Sequence, residues 1–428
     1  MATAVLKYGD HCLPCPLANA ARLGAARPAK LPHPHAAISA ALAAPLGSPP
    51  LAEMVAPGEQ VVIVTSDITR YTGSEHYLPL LVAELNRCGI ADADLTILIG
   101  LGIHRQQTEA EQLRIVGPLF GRVQVVDHDC DDPAMLVDLG RTASGLPVQI
   151  NRRITEADRV IVTGTIGLHY FAGFGGGRKG LVPGVASRTT CMATHFAIFN
   201  PPEIGGRHPA ARPAVLAGNP VHEAILEAAR MVAPDFLLNT VLTADKQMAG
   251  VFCGDLEQAH LAGCALARQL YTVPLAKPAD LAIISCGGYP KDINFIQAHK
   301  ALDYGVQAVR PGGTVILLAA CPDGFGNPTF FDWFRYQELD AFEAALRQHY
   351  QINGQTAYAT LCKARTWRII LVSGFTREQT ERMGMEKAAD LDQAVQMAYE
   401  RLPADADVVV IPDGGTVLPV IEPVIRDA

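Results

Sequence analysis

Short apolar runs that alternate with helical patterns are the feature that most limits how this chain can fold. Residues 61–64 form the first run, Val-Val-Ile-Val, and a helical pattern over residues 77–87 separates it from the next run at residues 95–99. An unbroken apolar run is typical of a strand that is buried on both faces, and its alternation with helices is typical of βαβ units. The sequence therefore predicts an α/β fold with mostly parallel sheets.

The same alternation starts again after a proline-containing connector at residues 274–278. At about 150 residues per domain, a chain of 428 residues has room for two large domains. We predict an N-terminal α/β domain over residues 1–275 and a C-terminal α/β domain over residues 276–428. The Ala/Pro-rich opening at residues 17–50 shows no strand pattern, so no strand is expected there.

Composition and charge exclude several classes of protein. Hydrophobic residues make up 49% of the chain and charged residues 18%, which is typical of a globular protein. The formal net charge is -8 and no Lys/Arg cluster could neutralise a row of phosphates, so nucleic acid is not an expected partner. No run approaches the roughly 18 apolar residues of a membrane span, and no signal-peptide pattern opens the chain. A cytoplasmic protein without a membrane partner is therefore expected.

The ten cysteines have no framework spacing, so reduced thiols are expected. Cys12 and Cys15 form a Cys-x-x-Cys pair. A zinc site needs a second pair of ligands and a redox site needs a βαβ setting, and the sequence shows neither. The role of this pair is left open.

Polar residues at strand exits are candidate site residues, because ligands of open α/β sheets bind beyond the carboxyl ends of the strands. Residues 67–70, Asp-Ile-Thr-Arg, directly follow the first strand. They suit an anion or nucleotide clamp, or an Asp helix cap with a surface ion pair. His104 leaves the next strand in Gly-Ile-His-Arg. Taken alone, such a histidine is more often a satisfied loop residue than a catalyst.

A glycine-rich segment provides the sharpest signal. Five glycines lie within residues 173–180, and their N–H groups could cradle a phosphate while Arg178 and Lys179 add positive charge. The segment is not a Walker A loop, since Lys179 precedes Gly180 rather than Ser or Thr. A flexible glycine loop without a ligand is the alternative interpretation.

Two further clusters are open to two interpretations each. Gln297 and Lys300 lie three apart on a predicted helix and share a face, which could bind a carboxylate or could be a solvated polar face. Residues 127–132, Asp-His-Asp-Cys-Asp-Asp, could bind a cation or form a solvated acidic loop.

Together these motifs resemble the nickel-pincer-dependent lactate racemase family and its 2-hydroxyacid racemase and epimerase relatives. The most specific part is the string His-Tyr-x-Ala-Gly-Phe-Gly-Gly-Gly-Arg-Lys-x-x-x-Pro-Gly from His169 to Gly184, and the resemblance covers nearly the whole chain. It implies a two-domain α/β enzyme with its active site in the interdomain cleft. The implied reaction inverts the C2 centre of a 2-hydroxy carboxylic acid by reversible hydride transfer, with a 2-keto acid intermediate.

The resemblance also implies a cofactor and partners. The cofactor is a nickel-pincer nucleotide, Ni(II)-pyridinium-3,5-bisthiocarboxylate mononucleotide, attached covalently at Lys179. His195 is the implied nickel ligand, and His104 and His169 are the implied acid/base pair. The partners are the 2-hydroxy acid, transient cofactor biosynthesis proteins and a possible second copy of the chain. The implied cofactor contacts are Asp67, Ile68, Thr69, Arg70, Gly175, Gly176, Gly177, Lys179 and His195, and the implied substrate contacts are Arg70, Gln297 and Lys300.

Two departures from the family pattern bear on the substrate. Residues 71–73, Tyr-Thr-Gly, stand where many relatives have proline, which predicts a substrate side chain larger or more polar than the methyl of lactate. Phe295 stands near Gln297 where a tyrosine would be unsurprising. Two other functions are weighed against the racemase. One is a non-catalytic protein that binds a nucleotide or a hydroxy acid, and the other is a hydrolase with zinc held by histidines, although no short His-x-x-x-His pair supports it.

Overall fold

The structure of the protein is a computed structural model that describes residues 4–17, 20–24 and 30–422. It divides into two compact units. The unit that we call the N-terminal unit comprises Arg27–Pro201 and Arg207–Leu270. The C-terminal unit comprises the described residues of Met1–Ala26, with Pro202–Gly206 and Tyr271–Ala428. The start of the chain is therefore part of the C-terminal unit. The predicted division into residues 1–275 and 276–428 assigned it to the N-terminal domain.

The N-terminal unit is built on a six-stranded sheet. Its strands, in spatial order, are Met248–Gly254, Phe236–Leu242, Arg159–Ile166, Val61–Ser66, Leu95–Gly100 and Gln124–Asp127. All neighbours pair in parallel except the edge strand Met248–Gly254, which is antiparallel. Residues 61–65 of the inner strand Val61–Ser66 are all buried, as expected for a strand covered on both faces.

Several helices of this unit bury apolar side chains in one core with the strands of the sheet. The helices of the unit are Pro34–Ala43, Leu51–Met54, Ser74–Arg87, Glu109–Val116, Arg152–Glu156, Arg188–Phe196, Pro220–Val232 and Leu256–Tyr271. Thr108 and Glu111 form a capping box at the start of Glu109–Val116, which fixes where that helix begins. Two antiparallel pairs complete the unit, Leu136–Arg141 with Pro147–Asn151 and Leu168–His169 with Gly173–Phe174.

The C-terminal unit is built on a second six-stranded sheet, and all of its neighbouring strands are parallel. The strands, in spatial order, are Glu386–Ala388, Arg368–Val372, Val309–Leu318, Ala279–Ser285, Val408–Ile411 and Ala21–Arg22. Its helices are Phe295–Gly305, Pro328–Asp332, Leu339–Gln348, Ile352–Thr366, Arg377–Arg382 and Leu391–Tyr399. Two-stranded pairs are formed by Val5–Tyr8 with His11–Pro14 and by Thr272–Leu275 with Leu418–Ile421. The predicted α/β class with mostly parallel sheets is confirmed.

The expectation that the opening segment holds no strand is wrong. Ala21–Arg22 is exposed and pairs with Val408–Ile411 at the edge of the second sheet. A two-residue edge strand is held by backbone hydrogen bonds alone, so it leaves no apolar run in the sequence.

Residues 287–292, Gly-Gly-Tyr-Pro-Lys-Asp, form a motif that follows the strand Ala279–Ser285 and has a structural role in the C-terminal unit. Asp292 is buried, and its Oδ2 accepts hydrogen bonds from the N–H groups of Gly9 at 2.7 Å and Ala320 at 3.2 Å. Tyr289 N–H donates to Gly9 O at 3.0 Å. The motif therefore anchors the turn between Val5–Tyr8 and His11–Pro14.

Phe295 and the cysteine pair also find structural explanations. Phe295 is fully buried, with its ring centroid 5.7 Å from that of Phe330 and 6.1 Å from that of Phe375. It is a core residue, so a phenolic hydroxyl would have no place there. Cys12 is exposed and Cys15 is buried, and both thiols are free. None of the helices in the described residues combines the length and the apolarity that a membrane crossing needs.

Candidate functional site

Three of the predicted motifs meet at one edge of the N-terminal sheet. Asp67 and His104 follow the adjacent parallel strands Val61–Ser66 and Leu95–Gly100, which end in register. Gly102 N–H donates to Gly184 O at 2.8 Å, so the loop that carries His104 touches the end of the glycine-rich segment. The carboxyl edge of this sheet is therefore the candidate site.

Asp67 and His104 form a carboxylate–imidazole pair. Oδ2 of the buried Asp67 lies 2.5 Å from Nδ1 of His104, and its Oδ1 accepts from Thr69 Oγ1 at 2.7 Å. Burial alone would raise the pKa of Asp67, but the hydrogen bonds from His104 and Thr69 outweigh it and lower the pKa. An ionised carboxylate only accepts, so Nδ1 of His104 carries the proton. The His104 side chain is 42% exposed, and its Nε2 has the lone pair that a general base needs.

The rest of the 67–70 loop is held by its backbone. Ile68 N–H donates to Gln107 Oε1 at 3.0 Å, and Arg70 N–H donates to Asp67 O at 3.1 Å. The Arg70 side chain is exposed, and its charge contributes to lowering the pKa of Lys179. Gln107 was not identified from the sequence, because nothing in its surroundings marks an amide that supports a loop thirty-nine residues away.

His169 has the opposite arrangement of ring nitrogens. It lies in the short hairpin formed by Leu168–His169 and Gly173–Phe174, and Ala172 N–H donates to its Nδ1 at 3.2 Å. A neutral ring whose Nδ1 accepts carries its proton on Nε2. His104 therefore presents a proton acceptor, whereas His169 presents a proton donor.

Near pH 7 the imidazole of His195 is neutral, and Lys179 is partly in its uncharged amine form. Burial lowers the pKa of Lys179 to about 7, and repulsion from Arg70 and Arg178 adds to the shift. Burial, with the nearby Lys179, lowers the pKa of His195 to about 3. Nδ1 of His195 donates to Cys191 O at 2.8 Å, one turn earlier in the helix Arg188–Phe196, so Nε2 keeps its lone pair. A backbone carbonyl that fixes the tautomer in this way is the usual support of a metal-binding imidazole.

The glycines of the loop are closely packed, and the backbone N–H groups of two of them already donate to other protein groups. Gly175 N–H donates to Gly167 O at 2.8 Å, and Gly177 N–H donates to Asn239 Oδ1 at 2.6 Å. A Cβ on Gly176 would lie 2.5 Å from Asn239 Oδ1, and its φ of 69° lies in the left-handed region. Close packing thus explains Gly176 and Gly177, and the N–H groups of Gly175 and Gly177 do not supply the phosphate donors that the glycine pattern predicted.

The expectation that Arg178 adds charge to a phosphate site is corrected by its position. Its side chain is 1% exposed and points into the protein, where Nη2 donates to Ala172 O at 2.9 Å. Nη1 lies 3.0 Å from His260 Nε2. The buried guanidinium therefore stabilises the glycine-rich loop through its hydrogen bond to Ala172 O.

In the C-terminal unit, Gln297 and Lys300 are exposed near the start of the helix Phe295–Gly305. Asn294 caps this helix by accepting from Gln297 N–H at 3.0 Å. Lys300 Nζ donates to Gln297 Oε1 at 2.7 Å, so the two side chains share one face of the helix.

Metal-ligand geometry weighs against two of the weaker hypotheses. Three or more His, Cys, Asp or Glu side chains must lie close together to hold a metal ion. In the part of the chain that the structure describes, the only such group with ligand atoms within 4.8 Å of one another is Asp129, Cys130 and Asp131. His104, His169 and His195 do not form such a group, which removes support for a zinc hydrolase. Asp131 accepts two hydrogen bonds from Arg188, at 2.7 and 2.6 Å, as in a solvated acidic loop.

A cavity of about 520 Å³ in the N-terminal unit is a feature that sequence analysis missed. Residues from separate segments line it, among them His33, His35, Tyr71, His76, Lys246 and Met248. The hydroxyl of Tyr71 donates to Glu75 Oε1 at 2.8 Å, and Lys246 Nζ lies 5.5 Å from the centre of its ring. Tyr71, which stands at the departure from the family pattern, is thus held at the wall of this cavity.

Sequence comparison identifies known relatives of this chain. Residues 8–205 match the family profile described as the lactate racemase N-terminal domain, and residues 275–419 match the lactate racemase C-terminal domain. The lactate racemase of Thermoanaerobacterium thermosaccharolyticum is 34% identical over 388 residues, which cover 89% of each chain. The lactate racemase of Lactiplantibacillus plantarum is 35% identical over 379 residues, 86% of this chain and 87% of that protein.

Solved structures agree with this likeness. The lactate racemase apoprotein from T. thermosaccharolyticum superimposes with a TM-score of 0.87 at 32% identity, covering 98% of this chain and 100% of that one. A Thermotoga maritima protein superimposes with a TM-score of 0.63 at 19% identity, covering 94% of this chain and 100% of that one, which shows a shared fold alone.

Proposed function

Because the chain belongs to the lactate racemase family, we propose that it is an isomerase that inverts the C2 centre of a 2-hydroxy carboxylic acid. The observation that carries this proposal is a pair of histidines that follow two parallel strands of one sheet and have opposite proton arrangements. His104 offers a lone pair on Nε2 and His169 offers a proton on Nε2. Inversion needs both at once, because one group takes the hydroxyl proton of one enantiomer and the other returns a proton to form the opposite enantiomer.

The residues present fit a nickel-pincer nucleotide. Lys179 is a desolvated amine with a pKa near 7, which suits a covalent thioamide link. His195 keeps an Nε2 lone pair for nickel, since its Nδ1 is bound to Cys191 O. Nickel accepts imidazole and sulfur donors. When bound, the nucleotide would supply a centre that accepts the Cα hydride of the substrate and gives it back.

Hydride chemistry removes a difficulty that proton abstraction would meet. The Cα proton of a 2-hydroxy acid is very weakly acidic, because the neighbouring carboxylate resists a second negative charge. In the proposed reaction only the hydroxyl proton is handled by the protein. His104 accepts it at Nε2, and Asp67 stabilises the imidazolium that results. The 2-keto acid that remains is planar at C2, so either face can be reduced.

Three side chains are proposed to bind the substrate carboxylate: Arg70, Gln297 and Lys300. Hydrogen bonds from charged donors to a carboxylate are the stronger ones in proteins, and a guanidinium can bind both oxygens. Arg70 and Lys300 are charged donors of this kind, Gln297 adds a neutral amide, and all three residues are exposed. The lactate of the curated relatives is one candidate substrate, and the panel below includes larger ones.

The test is to purify the chain after co-expression with the cofactor biosynthesis proteins, which we propose as its transient partners. Intact mass, nickel content and chiral analysis of a panel of 2-hydroxy acids are then measured. We expect a mass adduct, bound nickel and interconversion of the two enantiomers of at least one acid. Adduct and nickel without interconversion of any acid would favour a non-catalytic binding protein. Zinc with no adduct would favour the hydrolase.

A further inference from the structure

We propose that the Phe171–Ala172 pair is the element that positions His169, His195 and Lys179, and that two buried polar side chains, Asn219 and Arg178, hold this pair in place. The importance of the three positioned groups rests on the proposed function. The contacts that support the positioning do not.

The ring of Phe171 contacts all three groups. It is 1% exposed, and its centroid lies 4.5 Å from that of His169 and 5.2 Å from that of His195, both in edge-on geometry. Lys179 Nζ lies 5.9 Å from the same centroid. A rigid ring between an acid/base imidazole, a metal-binding imidazole and an amine sets their separations. A smaller aliphatic side chain would leave a gap into which each of them could move.

Asn219 fixes the peptide group that holds His169. Its Nδ2 donates to Phe171 O at 2.8 Å, and the N–H at the other end of the same peptide, that of Ala172, donates to His169 Nδ1 at 3.2 Å. A peptide group is planar, so holding its carbonyl fixes the direction of its N–H. Asn219 is fully buried, and its Oδ1 accepts from Val221 N–H at 3.1 Å at the start of the helix Pro220–Val232. The amide therefore ties a rigid helix end to the His169 ring.

Arg178 holds the following peptide group. Its Nη2 donates to Ala172 O at 2.9 Å, so Ala172 is held on both sides. Burial lowers the pKa of Arg178 to about 10, which still leaves it charged near pH 7, and no carboxylate among the described residues pairs with it. A buried charge without a counterion destabilises a fold. We therefore attribute the buried Arg178 to its hydrogen bond with the Ala172 carbonyl, and not to a contribution to the stability of the fold.

The consequence is a fixed tautomer of His169. With the Ala172 N–H in place, the proton of the neutral ring stays on Nε2. If the peptide rotates, Nδ1 loses its donor and both tautomers become populated. Asn219 and Arg178 are thus positioning residues for proton donation by His169.

The experiment measures the His169 tautomer directly, in full-length protein without cofactor or substrate. Histidines are labelled with 13C and 15N, and the His169 signals are identified by their absence in His169→Gln. The wild type is expected to show only the Nε2–H tautomer. Asn219→Ser keeps a capping oxygen but loses the amide donor, and Arg178→Met loses the guanidinium. Both are expected to show both tautomers, and Arg178→Lys is expected to restore most of the Nε2–H form.

Kinetics of the matured enzyme provide a second readout. Asn219→Ser and Arg178→Met are expected to lower kcat by about 10- to 100-fold, as for a misplaced catalytic group, with KM within about twofold. Arg159→Met is the control, because Arg159 pairs with Glu59 and Asp235 and has no contact with Phe171 or Ala172 in the described structure. It is expected to lower stability but to leave the tautomer unchanged.

Two results would overturn the proposal. One is an unchanged His169 tautomer in both Asn219→Ser and Arg178→Met. The other is an equal change in Arg159→Met, which would indicate general loosening. If Asn219→Ser does not fold, Asn219→Asp takes its place with the same expected readout, because it keeps an oxygen that accepts from Val221 N–H and loses the amide donor to Phe171 O. Since the tautomer is measured without cofactor or substrate, a wild type that racemises nothing would count against the proposed function and would leave this inference standing.

Discussion

The two units use the ends of their parallel strands in different ways. In the N-terminal unit, the strand exits carry Asp67 and His104, a paired acid and base. In the C-terminal unit, the equivalent Gly287-to-Asp292 segment holds a hairpin through Asp292, and the candidate ligand groups Gln297 and Lys300 lie exposed on a helix. Groups that move protons need a fixed, partly desolvated setting, whereas groups that bind a carboxylate do not. The comparison predicts large losses of activity from changes in the first unit and smaller ones from changes in the second.

Lys179→Ala should have the largest effect. Lys179 is the proposed covalent anchor, so the variant is expected to lose the cofactor mass adduct and all racemisation. Lys246→Ala in the same unit is the matched control and should keep the adduct. An undiminished adduct in Lys179→Ala, measured by intact-mass spectrometry, would contradict the assignment.

The two histidines around Phe171 should separate metal binding from turnover. His195→Ala is expected to lose nickel, because it removes the proposed ligand. His169→Ala is expected to keep nickel and to stop racemisation in both directions, because inversion requires a group on each face of the substrate. Nickel content and racemisation are measured in parallel for both variants, by metal analysis and a chiral assay. If His169→Ala lost nickel and His195→Ala kept it, the two roles would have to be exchanged.

Asp67→Asn should lower kcat by about 100-fold or more while KM stays nearly constant. An amide in place of the carboxylate no longer fixes the tautomer of His104 or stabilises its imidazolium. Nickel and the mass adduct should be retained. A variant with wild-type kcat would show that Asp67 serves only to order the Asp67-to-Arg70 loop.

Lys300→Ala, in the C-terminal unit, should have a smaller effect. Loss of one charge-assisted contact to a carboxylate is worth about 1.5–3 kcal/mol, or at least about tenfold in kcat/KM. Steady-state kinetics measure it, with Lys277→Ala as the control, since Lys277 pairs with Asp407 in the same unit. An unchanged kcat/KM would remove Lys300 from the site and weaken the contrast between the units.

The smallest expected effect concerns the substrate side chain. Tyr71, Thr72 and Gly73 form the departure from the expected family pattern, and we expect a substrate side chain larger or more polar than a methyl group to be preferred. Comparison of lactate, malate, longer aliphatic hydroxy acids and sugar acids tests this preference. A clear preference for lactate would refute it.

Much of the fold could be predicted from the sequence because the sheets are parallel. Buried strands such as Val61–Ser66 are continuous apolar runs, and the capping box at Thr108 marks a helix start. Partly exposed antiparallel pairs, such as Leu136–Arg141 with Pro147–Asn151, leave a weaker pattern and were missed. The predicted α/β class and the family are both confirmed.

The site was harder to predict than the fold. Motifs singled out candidate site residues, but they could not show what each one contacts. The contact of Asp67 with the cofactor stays a prediction, whereas its hydrogen bond with His104, thirty-seven residues away, was not predicted. Arg178 was expected to face a phosphate, and it is buried against Ala172 O. Contacts of this kind depend on how separate loops pack together, and no local sequence pattern records them.

The isotope content of the inverted product tests the central claim most directly. The matured enzyme is given its best substrate as one enantiomer with deuterium at C2, in ordinary water, and the opposite enantiomer is isolated and analysed. Return of a hydride to a planar 2-keto acid predicts that the product keeps its deuterium at C2. Loss of the deuterium to solvent would show that a proton is removed from C2 instead, and would contradict the account.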